Sequence, residues 1–292
     1  MEIENLEFRS SNEDFKNNLE NQNISENSPI LKKATNNKGY VISVISGKGG
    51  VGKTSISTSL AWVIAKKFGL KTLLIDANIT SSHVSSFLRI PTIYTLNDIL
   101  EENTIDFSRI QTYDNVLHVI TSRIIGKSYY LDVESMKNIV DRLRESYDVI
   151  VLDSSPGIGN ETLASIEASD TCLIVTTPYF PSIVDVIRIK EVLEQLREKR
   201  ARLIVNMIEK KIYELSINEI KYATGMPIIG VIPFDENMIE ASARGNLIAR
   251  YRPGSRFAKS IEKIAYQIIS ERFGIDYEEN IFKRILRFFY SR

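Results

Sequence analysis

The chain has 292 residues, of which 43% are hydrophobic and 25% are charged, proportions typical of a globular protein with a sizeable core. Lysine plus arginine and aspartate plus glutamate each total 37, so no overall charge attracts nucleic acid. The single cysteine, Cys172, excludes a disulfide within the chain and argues against a cysteine metal site. Because Cys172 stands in an apolar run, we expect it to be a small buried core residue.

The first 38 residues differ in composition from the rest of the chain. Residues 1–38 are dense in Asn, Glu and Ser and show no sustained apolar period, so we predict a flexible polar tail with room for a short helix over 13–20. A partner-binding motif in this tail is the alternative. The chain begins with no basic and apolar signal segment, and no window approaches the roughly 18 apolar residues of a spanning helix. We therefore expect a cytoplasmic protein.

From residue 40 onward, short apolar runs alternate with longer amphipathic ones. Strands are predicted over 40–45, 71–75, 116–120, 148–152, 171–175, 201–205 and 227–231. Helices are predicted over 55–68, 133–145, 183–199, 212–223 and 255–273. Strands that are apolar on both faces suit a buried parallel sheet, and the alternation predicts an α/β fold with a doubly wound, mainly parallel sheet flanked by helices. We assign this fold to one domain over 39–275, with no internal repeat.

A glycine-rich octet lies between the first predicted strand and the first predicted helix. It fits the phosphate-loop pattern, in which glycines let backbone N–H groups surround phosphate oxygens and the following helix adds its positive N-terminal end. In such a loop Lys53 reaches the β- and γ-phosphates and the Thr54 hydroxyl ligates Mg²⁺. The alternative is an ordinary glycine-rich turn. The predicted nucleotide-binding residues here are Gly47, Lys48, Gly49, Gly50, Val51, Gly52, Lys53, Thr54 and Ser55.

Two carboxylates follow apolar runs, Asp76 after 73–75 and Asp153 after 149–152. In open α/β sheets ligands bind at the carboxyl ends of the strands, so both should lie near the phosphate loop. Mg²⁺ prefers oxygen ligands and keeps several waters, so we predict a magnesium site formed by Thr54, Asp76 and Asp153. Two helix-capping aspartates are the alternative.

The segment from Ser46 to Thr54 resembles the deviant Walker A loop of the MinD/ParA family of P-loop ATPases. The resemblance implies that Lys48 reaches across an ATP-dependent homodimer to the partner's phosphates; a solvent-facing lysine is the alternative. Residues 76–80 and 153–157 look closest to MinD-like proteins of archaeal type, with the flagellar-positioning protein FlhG as a near neighbour. Direct DNA binding is not expected because the core shows no basic stripe. Iron–sulfur carrier relatives need cysteine pairs, which this chain lacks.

The resemblance also identifies two switch segments. Residues 153–159 look like the second switch, in which the backbone at Gly157 can sense a γ-phosphate. Residues 76–80 look like the first switch, but Asn78 stands where many relatives have aspartate. An amide can orient water and cannot accept its proton, so we predict slow, partner-dependent hydrolysis. Lys48, Lys53, Asn78 and Asp153 are the predicted catalytic residues.

The base-binding side carries a weaker pattern. Asn206 closes a predicted strand, and its amide could read the adenine edge, although a plain strand-end Asn is the alternative. Residues 232–235, with Pro233 and Asp235, resemble the family's other adenine-side loop. No Asn-Lys-x-Asp sequence of the guanine-binding kind is present, so ATP is predicted in preference to GTP.

The last residues form a basic amphipathic segment behind an acidic connector, and together they occupy 276–292. Residues 281–292 carry four positive charges and no acid, and at helical spacing they separate an apolar from a basic face. This composition predicts a helix in a membrane interface, as MinD proteins have; a terminal helix packed on the domain or in a partner's groove is the alternative. The predicted membrane-binding residues are Ile281, Phe282, Lys283, Arg284, Ile285, Leu286, Arg287, Phe288 and Phe289.

These patterns predict an ATPase that dimerises on ATP, binds the inner face of the cytoplasmic membrane reversibly, and positions the division machinery or another structure through an unidentified protein partner. A dimer would present two anchors and bind by avidity. The alternatives are a nucleotide-locked scaffold with negligible turnover and an FlhG-like positioning factor.

Overall fold

The computed structural model describes residues 38–80, 82–123, 131–196 and 200–274. The strands are β1 (Tyr40–Ser46), β2 (Thr72–Asp76), β3 (Gln111–Tyr113), β4 (Leu117–Ile120), β5 (Val149–Pro156), β6 (Thr171–Thr176), β7 (Arg200–Ile208) and β8 (Ile228–Pro233). The helices are α1 (Lys53–Phe68), α2 (Val84–Leu88), α3 (Leu96–Glu102), α4 (Val133–Leu143), α5 (Asn160–Glu167), α6 (Phe180–Gln195), α7 (Ile217–Thr224), α8 (Asn237–Ala243), α9 (Ile248–Tyr251) and α10 (Arg256–Phe273).

The eight strands form one sheet in the order β3-β4-β2-β5-β1-β6-β7-β8. Seven of them run parallel, and β3 pairs antiparallel with β4 at one edge. From β1 the chain goes to β2, β3 and β4 on one side, returns to β5 between β1 and β2, and then crosses to β6, β7 and β8 on the other side. The strand order therefore reverses beside β1, which is where open α/β sheets bind their ligands.

Helices cover both faces of the sheet, and the central strands are buried throughout. All residues of β1, β2 and β6 are buried, which explains why these strands are largely apolar on both faces. Helix α1 is buried along most of its length and packs against α10. Cys172, in β6, is buried in the core, as predicted.

The predicted doubly wound α/β fold is confirmed. The differences concern boundaries and short elements that the sequence analysis did not predict, which are β3 and the helices α2, α3, α5, α8 and α9. The predicted helix over 212–223 begins only at Ile217, because Ser216 accepts a hydrogen bond from the Glu219 backbone N–H and Glu219 bonds back to Ser216, a capping box. Strand β5 continues to Pro156, so Asp153 lies within the strand and not beyond its end. Helix α6 begins at Phe180 and not at residue 183, with a proline in its first turn.

Some predicted segments lie outside the described residues. These are the short helix over 13–20 and the terminal segment 276–292, which contains every predicted membrane-binding residue. Among the residues that the structure does describe, no helix is both long and apolar enough to cross a lipid bilayer.

Candidate nucleotide and magnesium site

The phosphate loop connects β1 to α1 at the carboxyl edge of the sheet. Gly50 and Gly52 adopt positive φ angles of 80° and 92°, a backbone conformation that favours glycine. A Cβ atom on Gly49 or Gly50 would meet nothing within 4 Å, so no other part of the described chain covers the loop at these two positions. Gly52 is the N-cap of α1 and has no side chain to accept from the first helical N–H groups. These donors are therefore available to an anion.

The buried carboxylate of Asp153 contacts the last two side chains of the phosphate loop, Lys53 and Thr54. The Nζ atom of Lys53 lies 2.9 Å from Oδ1 of Asp153, and the Thr54 hydroxyl donates to Oδ2 of Asp153 over 2.7 Å. Lys53 is 8% exposed and Asp153 is 1% exposed, so this ion pair is shielded from water. Because the Thr54 hydroxyl donates its proton to Asp153, the lone pairs of its oxygen remain available to coordinate a cation.

Asp76 lies beside Asp153 on the neighbouring strand, and the two residues are partners in the β2–β5 register. Burial raises the pKa of Asp76 to about 7, and the negative charge of Asp153 acts in the same direction. Hydrogen bonds from the backbone of Val84, the Ser82 hydroxyl and the Asn78 backbone partly oppose this rise. Two adjacent buried carboxylates and a threonine oxygen are hard oxygen donors that fit Mg²⁺.

Asp76 also hydrogen-bonds to the segment that is predicted to be the first switch. Its Oδ1 atom accepts from the Asn78 N–H over 3.2 Å, and its Oδ2 atom accepts from Ser82 Oγ and from the N–H groups of His83 and Val84 over 2.9 to 3.1 Å. Asn78 is 5% exposed, and its carboxamide oxygen lies 3.3 Å from Thr80 Oγ1. Asp76 therefore holds the backbone that carries Asn78.

The predicted second switch, residues 153–159, contacts the start of the phosphate loop. Gly157 has a φ of 86°, and its N–H donates to the carbonyl of Ser46 over 2.8 Å. The Thr162 hydroxyl, in α5, donates to the Ser155 carbonyl over 3.0 Å and ties the helix to this segment. The predicted Gly157 thus lies next to the phosphate loop.

A cavity of about 300 Å³ opens beside the loop on its β7–β8 side. It brings together the predicted residues Ser55, Asn206, Pro233 and Asp235. The Asn206 amide donates to the Val51 carbonyl over 2.8 Å, which fixes the side chain at the cavity wall. Gly52 of the phosphate loop and Phe234 of the predicted segment 232–235 also line it. The rest of the lining was missed by the sequence analysis, since it comes from separate elements: Met207, Met238, Ile239, Ser242 and Phe257. A flat, apolar wall with a few polar groups suits a nucleobase.

The carboxylate of Asp235 serves the local backbone. It accepts from the Asn237 amide over 2.7 Å, from the Asn237 N–H over 3.2 Å and from the Phe257 N–H over 3.1 Å. Burial acts to raise the pKa of Asp235, but these donors outweigh it and the pKa is lowered. Asp235 therefore shapes the cavity wall by holding β8 and α10 together.

Lys48 and its surroundings complete the loop. Lys48 is exposed, and its carbonyl accepts from the Ser46 hydroxyl over 3.0 Å. A Cβ atom on Gly47 would lie 2.4 Å from the Cβ atom of Asp185, so α6 passes directly against the loop. The sequence analysis missed Asp185, because nothing local to residue 185 signals this proximity.

The first strand of this parallel sheet leads through a glycine-rich loop into a helix, and the lysine and threonine of the loop contact a buried carboxylate. This arrangement defines a P-loop nucleotide-binding protein. Residues 37–269 match the family described as ParA, NUBPL iron-transfer P-loop NTPase. The chain belongs to this ParA family of P-loop NTPases. This confirms the family resemblance on which the switch and loop assignments rest.

Individual relatives agree with this assignment. The chain is 30% identical over 83% of its length to an uncharacterized ATP-binding protein of Methanocaldococcus jannaschii, of which the match covers 91%. It is 31% identical over 80% of its length to the septum site-determining protein MinD of Thermotoga maritima, of which 89% is covered. A solved MinC:MinD cell division complex from Aquifex aeolicus matches with a TM-score of 0.71 and 28% identity, over 80% of this chain and 96% of that one. The chain is an ATP-binding P-loop ATPase of MinD/ParA type.

Proposed function

We propose that this chain is a MinD-like spatial regulator that binds Mg-ATP, dimerises over the nucleotide, attaches reversibly to the inner face of the cytoplasmic membrane through residues 281–289, and positions the division site or another structure. The observation that carries the proposal is the phosphate loop, in which Lys53 and Thr54 lie on Asp153 while Lys48 remains exposed. Lys53 and Thr54 bind the nucleotide of their own subunit, and the exposed Lys48 is available to bind the nucleotide of the partner subunit.

The site chemistry follows from these residues. Lys53 moves from Asp153 to the β- and γ-phosphates, and the N–H groups of the loop and of α1 bind the phosphate oxygens. Mg²⁺, held by Thr54 with Asp76 and Asp153 nearby, neutralises phosphate charge when it is bound. Asn78 orients the attacking water, and the cavity between Asn206 and Pro233 receives adenine.

An exposed aromatic patch supports the dimer proposal. Tyr179 and Tyr213 stack with ring centroids 6.2 Å apart, beside the exposed residues Phe180 (70%) and Ile212 (102%). The Leu215 N–H donates to the Pro178 carbonyl over 2.8 Å and joins the two loops that carry the patch. These loops follow β6 and β7, so the patch lies on the same edge of the sheet as Lys48. Rigid aromatic residues at such an edge are typical of an interface centre.

Two tyrosines permit a matched test of this surface. Tyr213→Ser should weaken dimerisation in a non-hydrolysable ATP analogue by about tenfold, because it removes an aromatic side chain that the proposed dimer would bury. Tyr222→Ser, at a tyrosine 92% exposed on α7, should leave dimerisation unchanged. Sedimentation velocity measures both. Equal dimerisation of both variants contradicts the role of the patch, and a monomeric native chain contradicts the dimer itself.

Membrane attachment is tested with vesicles. The full chain should pellet with anionic vesicles in ATP more than in ADP, because a dimer presents two amphipathic segments. A chain truncated to 1–280 should stay in the supernatant. Equal pelleting of the two chains would refute the assignment of residues 281–289 as the anchor.

The rate of hydrolysis separates the regulator from its alternative, a nucleotide-locked scaffold, which Asn78 favours. Asn78→Asp should accelerate steady-state hydrolysis, since a carboxylate can accept a proton from water. Phosphate release is measured with and without anionic vesicles. A fast native enzyme that Asn78→Asp does not accelerate would contradict the assigned role of Asn78, and no release under any condition would favour the scaffold.

A further inference from the structure

The predicted second switch contains two consecutive serines, and only one of them has a partner for its hydroxyl. The Ser154 hydroxyl donates to the Val44 carbonyl over 2.9 Å, so it is accommodated within the sheet. The Oγ atom of Ser155 is buried and makes no hydrogen bond with any residue that the structure describes. A buried hydroxyl without a partner has lost its contact with water and gained nothing in return, which is unfavourable and uncommon. A ligand that accepts from this hydroxyl would account for it.

A β-bulge sets Ser155 apart from the regular part of its strand. The pairing of β1 with β5 shifts its register after Asp153, so two residues of β5, Ser154 and Ser155, lie opposite the single residue Ile45 of β1. Bulges change the direction of a side chain and occur frequently beside active sites. The unpartnered hydroxyl therefore lies where the sheet departs from regular pairing.

Ser155 is the middle residue of a segment that contacts both ends of the phosphate loop. Two residues before it, Asp153 contacts the last two side chains of the loop. Two residues after it, Gly157 donates its N–H to the Ser46 carbonyl at the start of the loop. The segment therefore runs alongside the phosphate loop, and Ser155 lies at its centre.

The order of the strands indicates which phosphate group lies nearest to Ser155. The cavity assigned to the base is lined by residues at the ends of β7 and β8, on one side of β1, and β5 lies on the other side. A nucleotide whose base occupies this cavity extends its phosphates across the loop toward β5. The phosphate farthest from the base is then the one that reaches Ser155.

We propose that the Ser155 hydroxyl donates a hydrogen bond to the γ-phosphate of bound ATP and so distinguishes ATP from ADP. This inference rests on the Mg-ATP site of the proposed function. A hydrogen bond from a hydroxyl to a charged phosphate oxygen is roughly twice as strong as one between neutral groups. Only the triphosphate gives the buried hydroxyl its acceptor.

The proposal gives Ser155→Ala opposite effects on stability and on binding. Without nucleotide, the change removes a hydroxyl that has no partner, so the midpoint of urea denaturation should stay the same or rise. With Mg²⁺ and a non-hydrolysable ATP analogue, Kd should increase about tenfold. The Kd for Mg-ADP should remain that of the native chain, because ADP has no γ-phosphate. A purely structural serine would show a lower urea midpoint and an equal loss for both nucleotides.

Ser59 provides a matched control. Its hydroxyl, in α1, is also buried without a partner in the described part of the chain. Ser59→Ala should likewise not lower the urea midpoint, and it should bind both nucleotides as the native chain does. Ser155→Cys keeps a side chain of similar size with a weaker donor, so its affinity for the ATP analogue should lie between those of the native chain and Ser155→Ala.

Calorimetric titration of the full chain with the ATP analogue and with ADP, each with Mg²⁺, measures these affinities. An unchanged affinity of Ser155→Ala for the analogue, or an equal loss for both nucleotides, would overturn the role of Ser155 and leave the proposed Mg-ATP site intact. A native chain that binds neither nucleotide would overturn that site as well.

Discussion

Gly52→Ala is expected to damage both the fold and the base-binding cavity. The φ angle of Gly52 is +92°, and a Cβ atom there would lie 2.3 Å from Nδ2 of Asn206. The Asn206 amide would have to leave the Val51 carbonyl, to which it now donates over 2.8 Å. Both atoms are buried, so each would lose its partner without gaining water.

The magnitude follows from two contributions. An L-residue forced into a sparsely populated positive-φ region costs about 1–3 kcal/mol. A buried polar group left unsatisfied costs about 1–3 kcal/mol more. We therefore expect the free energy of unfolding of the nucleotide-free chain to fall by roughly 2–6 kcal/mol.

Urea denaturation of the nucleotide-free chain measures this loss, and Gly254→Ala is the control. A Cβ atom on Gly254 meets nothing within 4 Å and the residue has no positive φ, so its change should stay within about 0.5 kcal/mol. In an Asn206→Ala background Gly52→Ala should cost less, because only the backbone strain remains. Equal costs in both backgrounds, or a Gly52→Ala variant of native stability, would refute this reasoning.

Two further predictions concern the buried charges. The pKa of Asp76 is about 7 in the folded chain against 3.8 for the ordinary group, so between these pH values the folded chain binds one proton more than the unfolded chain. The contribution of Asp76 to the free energy of unfolding should therefore be fully present below pH 3.8 and should be lost as the pH rises through 7. Asp76→Asn should remove that decline in melting temperatures taken from pH 5 to pH 8, and an unchanged slope would contradict the assignment. Lys53→Met should leave the Asp153 carboxylate buried without its cation and lower the free energy of unfolding by about 3–5 kcal/mol. Adding Asp153→Asn should restore stability in urea denaturation and leave ATP binding by fluorescent-nucleotide titration abolished; restored binding would show that Lys53 does not hold the phosphates.

The sequence predicted those parts of the fold and site whose signal is local. The phosphate loop has a fixed spacing between a strand and a helix, and the placement of Asp76 and Asp153 near this loop follows from their positions after apolar strand residues. That the two carboxylates lie side by side depends on the pairing of β2 with β5, which the sequence did not predict. The start of α7 could also have been predicted from the sequence, since Ser216 and Glu219 have capping-box spacing. The prediction instead began the helix at the apolar residue 212, five residues too early.

Other features depend on contacts between distant segments and carry no local signal. Strand β3 has three residues, too few to show a period, and it exists because it pairs with β4. The closeness of Asp185 to Gly47 arises only when α6 packs beside the phosphate loop. The cavity wall combines Met207, Met238 and Phe257 from three segments, so no window of the sequence contains it.

The hydrogen bond from the Gly157 N–H to the Ser46 carbonyl gives the second switch two possible resting places. In the proposed cycle the same N–H donates to a γ-phosphate, so one donor has two alternative acceptors and can bond to only one of them at a time. A single neutral hydrogen bond contributes about 1 kcal/mol net, which corresponds to an equilibrium constant of roughly five. On this estimate, roughly one ligand-free molecule in six already has the donor released. An arriving nucleotide therefore selects a state that the protein already populates without it, and after loss of the γ-phosphate the equilibrium again favours the hydrogen bond to Ser46.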